Sequence, residues 1–108
     1  MIHVPRERQD LVNLASLIAE LHRLRDSALE AIGAAPDAAS LDELRVDYLG
    51  KKGRLTAILR GIGDLPPADK PAVGAVANEV RDEVERALAE RGRLLRAAAL
   101  AARLEAEA

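Results

Sequence analysis

Lys51, Lys52, Arg54 and Arg60 lie in a stretch with no acid between Asp47 and Asp64. A second group, Arg86, Arg91, Arg93 and Arg96, shares its stretch with one acid, Glu90. Cations gathered in this way suit contact with phosphates, because each one that meets a nucleic-acid backbone releases condensed counterions. A structural role is equally open to them. In an antiparallel helical hairpin centred near Leu65, Lys51 and Lys52 fall opposite Glu79, Asp82 and Glu83. Exposed pairs of that kind are worth little.

The lysines sit in Tyr48-Leu49-Gly50-Lys51-Lys52-Gly53, which reads YLGKKG. It lacks the spacing of a phosphate-cradling P-loop and the Ser or Thr that follows one. Gly50 and Gly53 lie three apart, so on a helix they share roughly one face. The expectation is a helical element with a local irregularity, not a loop.

Other chemistry is hard to place. The chain has no Cys, which excludes disulfides, thiolate metal sites and cysteine nucleophiles. Its histidines, His3 and His22, have no nearby nucleophile and no recurring carboxylate partner. His22 reads as a lone surface histidine. H-E-x-x-H, G-x-S-x-G and Walker patterns do not occur. No catalytic residue, metal site or cofactor site is assigned to the chain itself. The formal net charge of -2 gives no global positive field, so any basic function is local.

The elements that must position these cations are helices. The 108 residues make one domain at most, and 49% are hydrophobic, with one Tyr and no Phe or Trp. Without aromatic bulk, thin helical packing is favoured over a thick core. Leu11, Leu14, Ile18, Leu21, Ala28 and Ile32 keep helical spacing, with Arg25 interrupting the stripe. They predict an N-terminal helix over about 10–33, capped by Asp10 and stopped at Gly33, after an unstructured start at 1–9. Ser40-Leu41-Asp42-Glu43 is a capping-box pattern. Leu41, Leu44, Tyr48, Leu55, Ile58 and Ile62 follow it at heptad spacing and predict one helix over about 41–62. Gly63-Asp64-Leu65-Pro66-Pro67 is a turn on its chemistry.

A third helix over about 68–105 starts by Pro71 and carries Val73, Val76, Val80, Val84, Ala87, Leu94, Ala98, Ala101 and Leu104 or Glu105 as its seam. Asp82, Glu83, Glu85, Arg86, Glu90 and Arg91 form its solvated face. The expected fold is therefore all-α: an antiparallel helical hairpin of coiled-coil type over 38–108, preceded by an N-terminal helix within 10–35. A helix as long as the third cannot be covered along its whole length. Its far end must meet the first helix, a partner, or nothing. No apolar run reaches the length of a membrane span, and the start lacks a signal peptide's apolar core. A cytoplasmic protein is expected.

The run from Leu41 to Thr56, LDELRVDYLGKKGRLT, resembles the amino-terminal arm of the bacterial phenylalanine–tRNA ligase alpha subunit. The run from Gly63 to Gly74, GDLPPADKPAVG, is similar to that arm's hairpin turn and the start of its long helix. Asn78 stands where the family often has an asparagine, and the ending AAALAARLEAEA is similar to the arm's closing stretch. The likeness covers about residues 38–106, and residues 1–12 precede anything that matches.

The resemblance implies a helical arm that binds the outer body of tRNA(Phe) and orients it across an alpha-two, beta-two enzyme. The beta subunit and a second alpha subunit would be its partners. It also implies a class II catalytic domain, absent from this chain, that supplies the ATP, magnesium and phenylalanine sites of an aminoacyl-tRNA ligase. On this reading Lys51, Lys52, Arg54, Arg60, Arg86, Arg91, Arg93 and Arg96 include the RNA contacts. The competing expectation is a free-standing helical module that self-associates through its long seam and has no nucleic-acid role.

Overall fold

The computed structural model describes the backbone of residues 6–107 and the side chains of residues 14–107. It is all-α, as the sequence predicts, and the described residues form four helices: α1 (Arg6–Ala34), α2 (Ala38–Leu49), α3 (Arg54–Gly61) and α4 (Lys70–Glu107). A short 3-10 turn, Ile62–Asp64, follows α3. The predicted start at 1–9 falls partly outside the described residues. From Arg6 the chain is already helical, so Asp10 is not a cap. Side chains of the predicted stripe before Leu14, and His3, lie outside the described residues.

The helices run up, down and up. Arg25 Nε lies 3.5 Å from Glu83 Oε2, and Arg91 donates to the Ala35 carbonyl, so numbering rises together along α1 and α4. These two helices are parallel. Going down, Tyr48 meets Ser27 and Gly61 lies beside Leu17, so α2 and α3 run antiparallel to both. The expected antiparallel hairpin is present, and α1 completes it as a three-layer bundle. The most extensive packing in the fold is between α1 and α4.

The core is aliphatic. Leu21, Ala28 and Ile32 of α1 meet Leu41 and Leu55, and Val73, Ala77, Val80, Val84 and Leu88 of α4. The buried stripe of α4 continues to partly buried Leu95, one place beyond the expected Leu94. Its steps from Val73 to Leu88, four, three, four and four, and then seven to Leu95, follow the natural turn of a straight helix. The expected seam was laid out on a strict seven-residue repeat, which drifts against that turn.

Two helix starts differ from expectation. The cap of α2 is Asp37, not Ser40: its backbone is extended and its carboxylate accepts the Ser40 amide at 2.8 Å. Asp37 is as good a cap as serine, and Ala38 and Ala39 continue easily into helix. The predicted single helix 41–62 is also interrupted, because residues 50–53 leave the helix and separate α2 from α3. At the other end, α4 spans 38 residues, about 57 Å. Residues 96–107 are exposed throughout, so α1–α3 leave its last three turns uncovered.

Candidate nucleic-acid interface

The break between α2 and α3 builds the site. Gly50 N–H donates to Val46 O at 3.0 Å and ends α2. Gly53 N–H donates to Gly50 O at 2.9 Å, closing a four-residue turn with Lys51 and Lys52 at its two central positions. The Thr56 hydroxyl donates to the same Gly50 carbonyl at 2.8 Å. Both glycines have ordinary negative φ, -69° at Gly50 and -74° at Gly53. They are needed for close approach instead. A Cβ on Gly50 would stand 2.5 Å from Val46 O, and one on Gly53 would stand 2.9 Å from backbone atoms of Tyr48 and Gly50. The expected helical irregularity is therefore a compact turn, because the backbone folds back on itself more tightly than a helix permits.

Tyr48 anchors the turn from below. It is the only aromatic residue of the chain and is buried. Its hydroxyl shares a 2.8 Å hydrogen bond with the Ser27 hydroxyl on α1. The Arg54 guanidinium lies 5.0 Å from its ring centroid, a cation–π distance, with Nη2 3.4 Å from Asp47 Oδ2. Arg54 is thereby committed to the turn's own structure.

Lys51, Lys52 and Arg60 remain. They are exposed and, with Gly53 and Ala57, line a hollow of about 260 Å³. Among the described residues none of the three has a salt-bridge partner. Glu83, a possible partner of the lysines, instead faces Arg25 of α1. Gly53 caps α3 without a side chain, so the positive end of the short helix dipole points into the same turn. Two ammonium groups, a guanidinium and uncapped amides at one rigid corner make a surface suited to phosphate oxygens.

The Arg86–Arg96 group lines no part of that hollow. Arg86 Nε donates to the Asp82 carbonyl on its own helix. Arg91 donates from Nε and Nη2, at 3.1 and 2.8 Å, to the Ala35 carbonyl just past the end of α1. It holds α1 to α4. Arg93 grips Glu90 through two hydrogen bonds of 3.2 and 2.6 Å. That contact holds the Glu90 carboxyl below its ordinary pKa and the Arg93 guanidinium above its own. Arg96 lies over Gly92. His22 is exposed, as expected. An open groove of about 790 Å³ lies along α2 between Ala31 and Val46, with Asp42, Glu43 and Asp47 in its walls. Its acidic walls set it apart from the basic turn.

Sequence reasoning missed Thr56, Ser27 and the role of Tyr48. Tyr48 had a signal, being the lone aromatic. The Thr56 bond spans six residues and depends on a turn that helical spacing did not suggest.

Residues 36–104 match the family model of the aminoacyl tRNA synthetase class II N-terminal domain. The chain belongs to this family. Its relatives include phenylalanine–tRNA ligase alpha subunits. That of Moorella thermoacetica is 47% identical over 92 residues, 85% of this chain and 27% of the relative. That of Geobacillus kaustophilus is 53% identical over 68 residues, 63% of this chain and 20% of the relative. That of Escherichia coli O139:H28 is 49% identical over 90 residues, 83% of this chain and 28% of the relative. The chain thus spans about a quarter of the length of the curated relatives it matches. A 92-residue match necessarily runs into α1, which the family model leaves out. In this N-terminal domain the basic turn joins two helices that follow one another along α1 and α4.

Proposed function

We propose that this chain is the tRNA-binding arm of a phenylalanine–tRNA ligase alpha subunit, orienting tRNA(Phe) for aminoacylation by the parent enzyme in the cytoplasm. The beta subunit and a second alpha subunit are its partners in that assembly. The observation that carries the reading is the Gly50–Gly53 turn, which fixes Lys51 and Lys52 beside Arg60 without ion-pair partners among the described residues. The arm has one aromatic, already buried, so it cannot stack bases as a single-strand platform does. It offers a rigid charged corner to a folded RNA, read by shape and phosphates. ATP and magnesium belong to the parent's catalytic domain. Among the described residues no group of three or more His, Asp or Glu is placed to hold a metal ion.

Filter binding of tRNA(Phe) at increasing salt tests the reading. Lys51→Ala, Lys52→Ala and Arg60→Ala should each weaken binding and reduce the salt slope by about one. Unchanged affinity and slope in the triple variant would remove the assignment. One observation favours the self-association reading: Leu100 and Leu104 are 54% and 58% exposed on the uncovered part of α4, and Leu94 just before it is 45% exposed. Sedimentation at several concentrations, with and without tRNA, separates the two. A concentration-dependent dimer indifferent to tRNA would favour self-association.

A further inference from the structure

We infer that the groove between α2 and α4 at Gly92 seats a single phosphodiester of bound RNA between Arg45 and Arg96. The inference rests on the tRNA-binding reading above and adds a second contact point, away from the lysine turn.

Arg45 of α2 and Arg96 of α4 line one groove of about 190 Å³, walled by Leu41, Leu88 and Gly92. That is the space of about six water molecules. It is large enough for a phosphate group with its ester oxygens. Both arginines are exposed, and among the described residues neither pairs with a carboxylate. Their neighbours on α4 are already committed, Arg91 to the Ala35 carbonyl and Arg93 to Glu90.

Gly92 gives the groove its shape. A glycine weakens the interior of a long helix, and here no turn requires it. A Cβ at this position would stand 3.2 Å from Arg96 Nη1 and 3.7 Å from Leu41 Cδ1. The missing side chain lets the Arg96 guanidinium lie back across the helix toward α2, where Arg45 stands. Asp42 also lines the groove. Two guanidinium groups and one carboxylate leave a single net positive charge, which matches a phosphodiester with one negative charge better than a doubly charged phosphate monoester. The guanidinium forks present paired donors to such a group.

The test is tRNA(Phe) binding by the full chain across a salt series, with thermal melts to confirm folding. Arg45→Gln and Arg96→Gln should each weaken binding about fivefold and flatten the salt slope by about one. Asp42→Asn should tighten it about twofold, since it removes the only carboxylate of the groove. Gly92→Ala should weaken binding without lowering the melting temperature, because the methyl displaces only the end of a flexible side chain. Wild-type affinity and slope in both arginine variants, with Lys51→Ala still weakening binding, would overturn the seat and leave the proposed function standing. No tRNA binding by the unmodified chain would overturn both. Phosphatidylglycerol vesicles supply the same phosphodiester chemistry from a lipid. Binding to them that depends on Arg45 and Arg96, with tRNA unaffected by the same variants, would overturn the RNA assignment.

Discussion

The Tyr48 hydroxyl and the Ser27 hydroxyl lie 2.8 Å apart, joining the end of α2 to the middle of α1 immediately before the lysine turn. The only aromatic ring of the chain is thus spent on holding that corner. Tyr48→Phe removes one hydrogen bond and should lower stability by about 1 kcal/mol. Tyr48→Ala also empties a buried site and should lower it by about 3–5 kcal/mol. Urea unfolding followed by circular dichroism measures both, and equal losses in the two variants would show that packing of the ring contributes nothing.

The glycines give opposite signs under one substitution. Gly53→Ala forces a Cβ against fixed backbone at 2.9 Å and should destabilise by about 1–3 kcal/mol. Gly74→Ala, inside α4 with nothing within 4 Å of the new methyl, should stabilise by about 0.5–1 kcal/mol. Thermal melts of the two single variants check the contrast. A stabilised Gly53→Ala would mean that the turn relaxes freely, and the account of a rigid lysine platform would fail.

How far the fold was legible follows from the same residues. The apolar spacing of Leu21, Ala28 and Ile32, and of Val73, Val80 and Val84, placed two helices correctly, because burial depends on a period that the sequence displays. The parallel pairing of α1 with α4 was not visible, since side-chain period says which face is buried and not against what. The turn at Gly50–Gly53 was misjudged for a related reason. Glycine spacing alone does not separate a kinked helix from a broken one, and the deciding contacts, Gly50 O with the Gly53 amide and the Thr56 hydroxyl, arise only after the chain folds back. For the site, charge clustering picked out Lys51, Lys52 and Arg60 as a group. It could not tell them from Arg54 and Arg91, whose guanidinium groups are taken up by Tyr48 and by the Ala35 carbonyl.

Arg91 should therefore behave as a structural residue. Its two hydrogen bonds satisfy a carbonyl just past the end of α1, a place where backbone acceptors otherwise lack partners. Arg91→Met keeps much of the aliphatic bulk and should lower stability by about 1.5 kcal/mol, the scale of a charged hydrogen bond. Arg86→Met removes an exposed hydrogen bond to a carbonyl of the same helix and should have little effect on stability. Well below the melting temperature, Arg91→Met should leave the salt slope of tRNA binding unchanged. A slope reduced by about one would make Arg91 a phosphate contact after all.

The cap of α2 makes stability depend on pH in a fixed direction. The Ser40 amide, with the Ser40 hydroxyl adding to it, holds the Asp37 carboxyl below its ordinary pKa. A carboxyl that is more acidic folded than unfolded stabilises the fold fully above its unfolded value, about 3.9, and loses that contribution as pH falls through the folded value. Asp37→Asn keeps a good capping acceptor but cannot titrate. The difference in melting temperature between the two proteins should thus stay level from pH 7 to about 5 and then move in favour of the variant as acid is added. Glu90, also held below its ordinary pKa by Arg93, titrates in both proteins and cancels from the comparison. Melting curves over this range decide the matter. A difference that stayed constant down to about pH 2 would show that the cap does not need the carboxylate's charge.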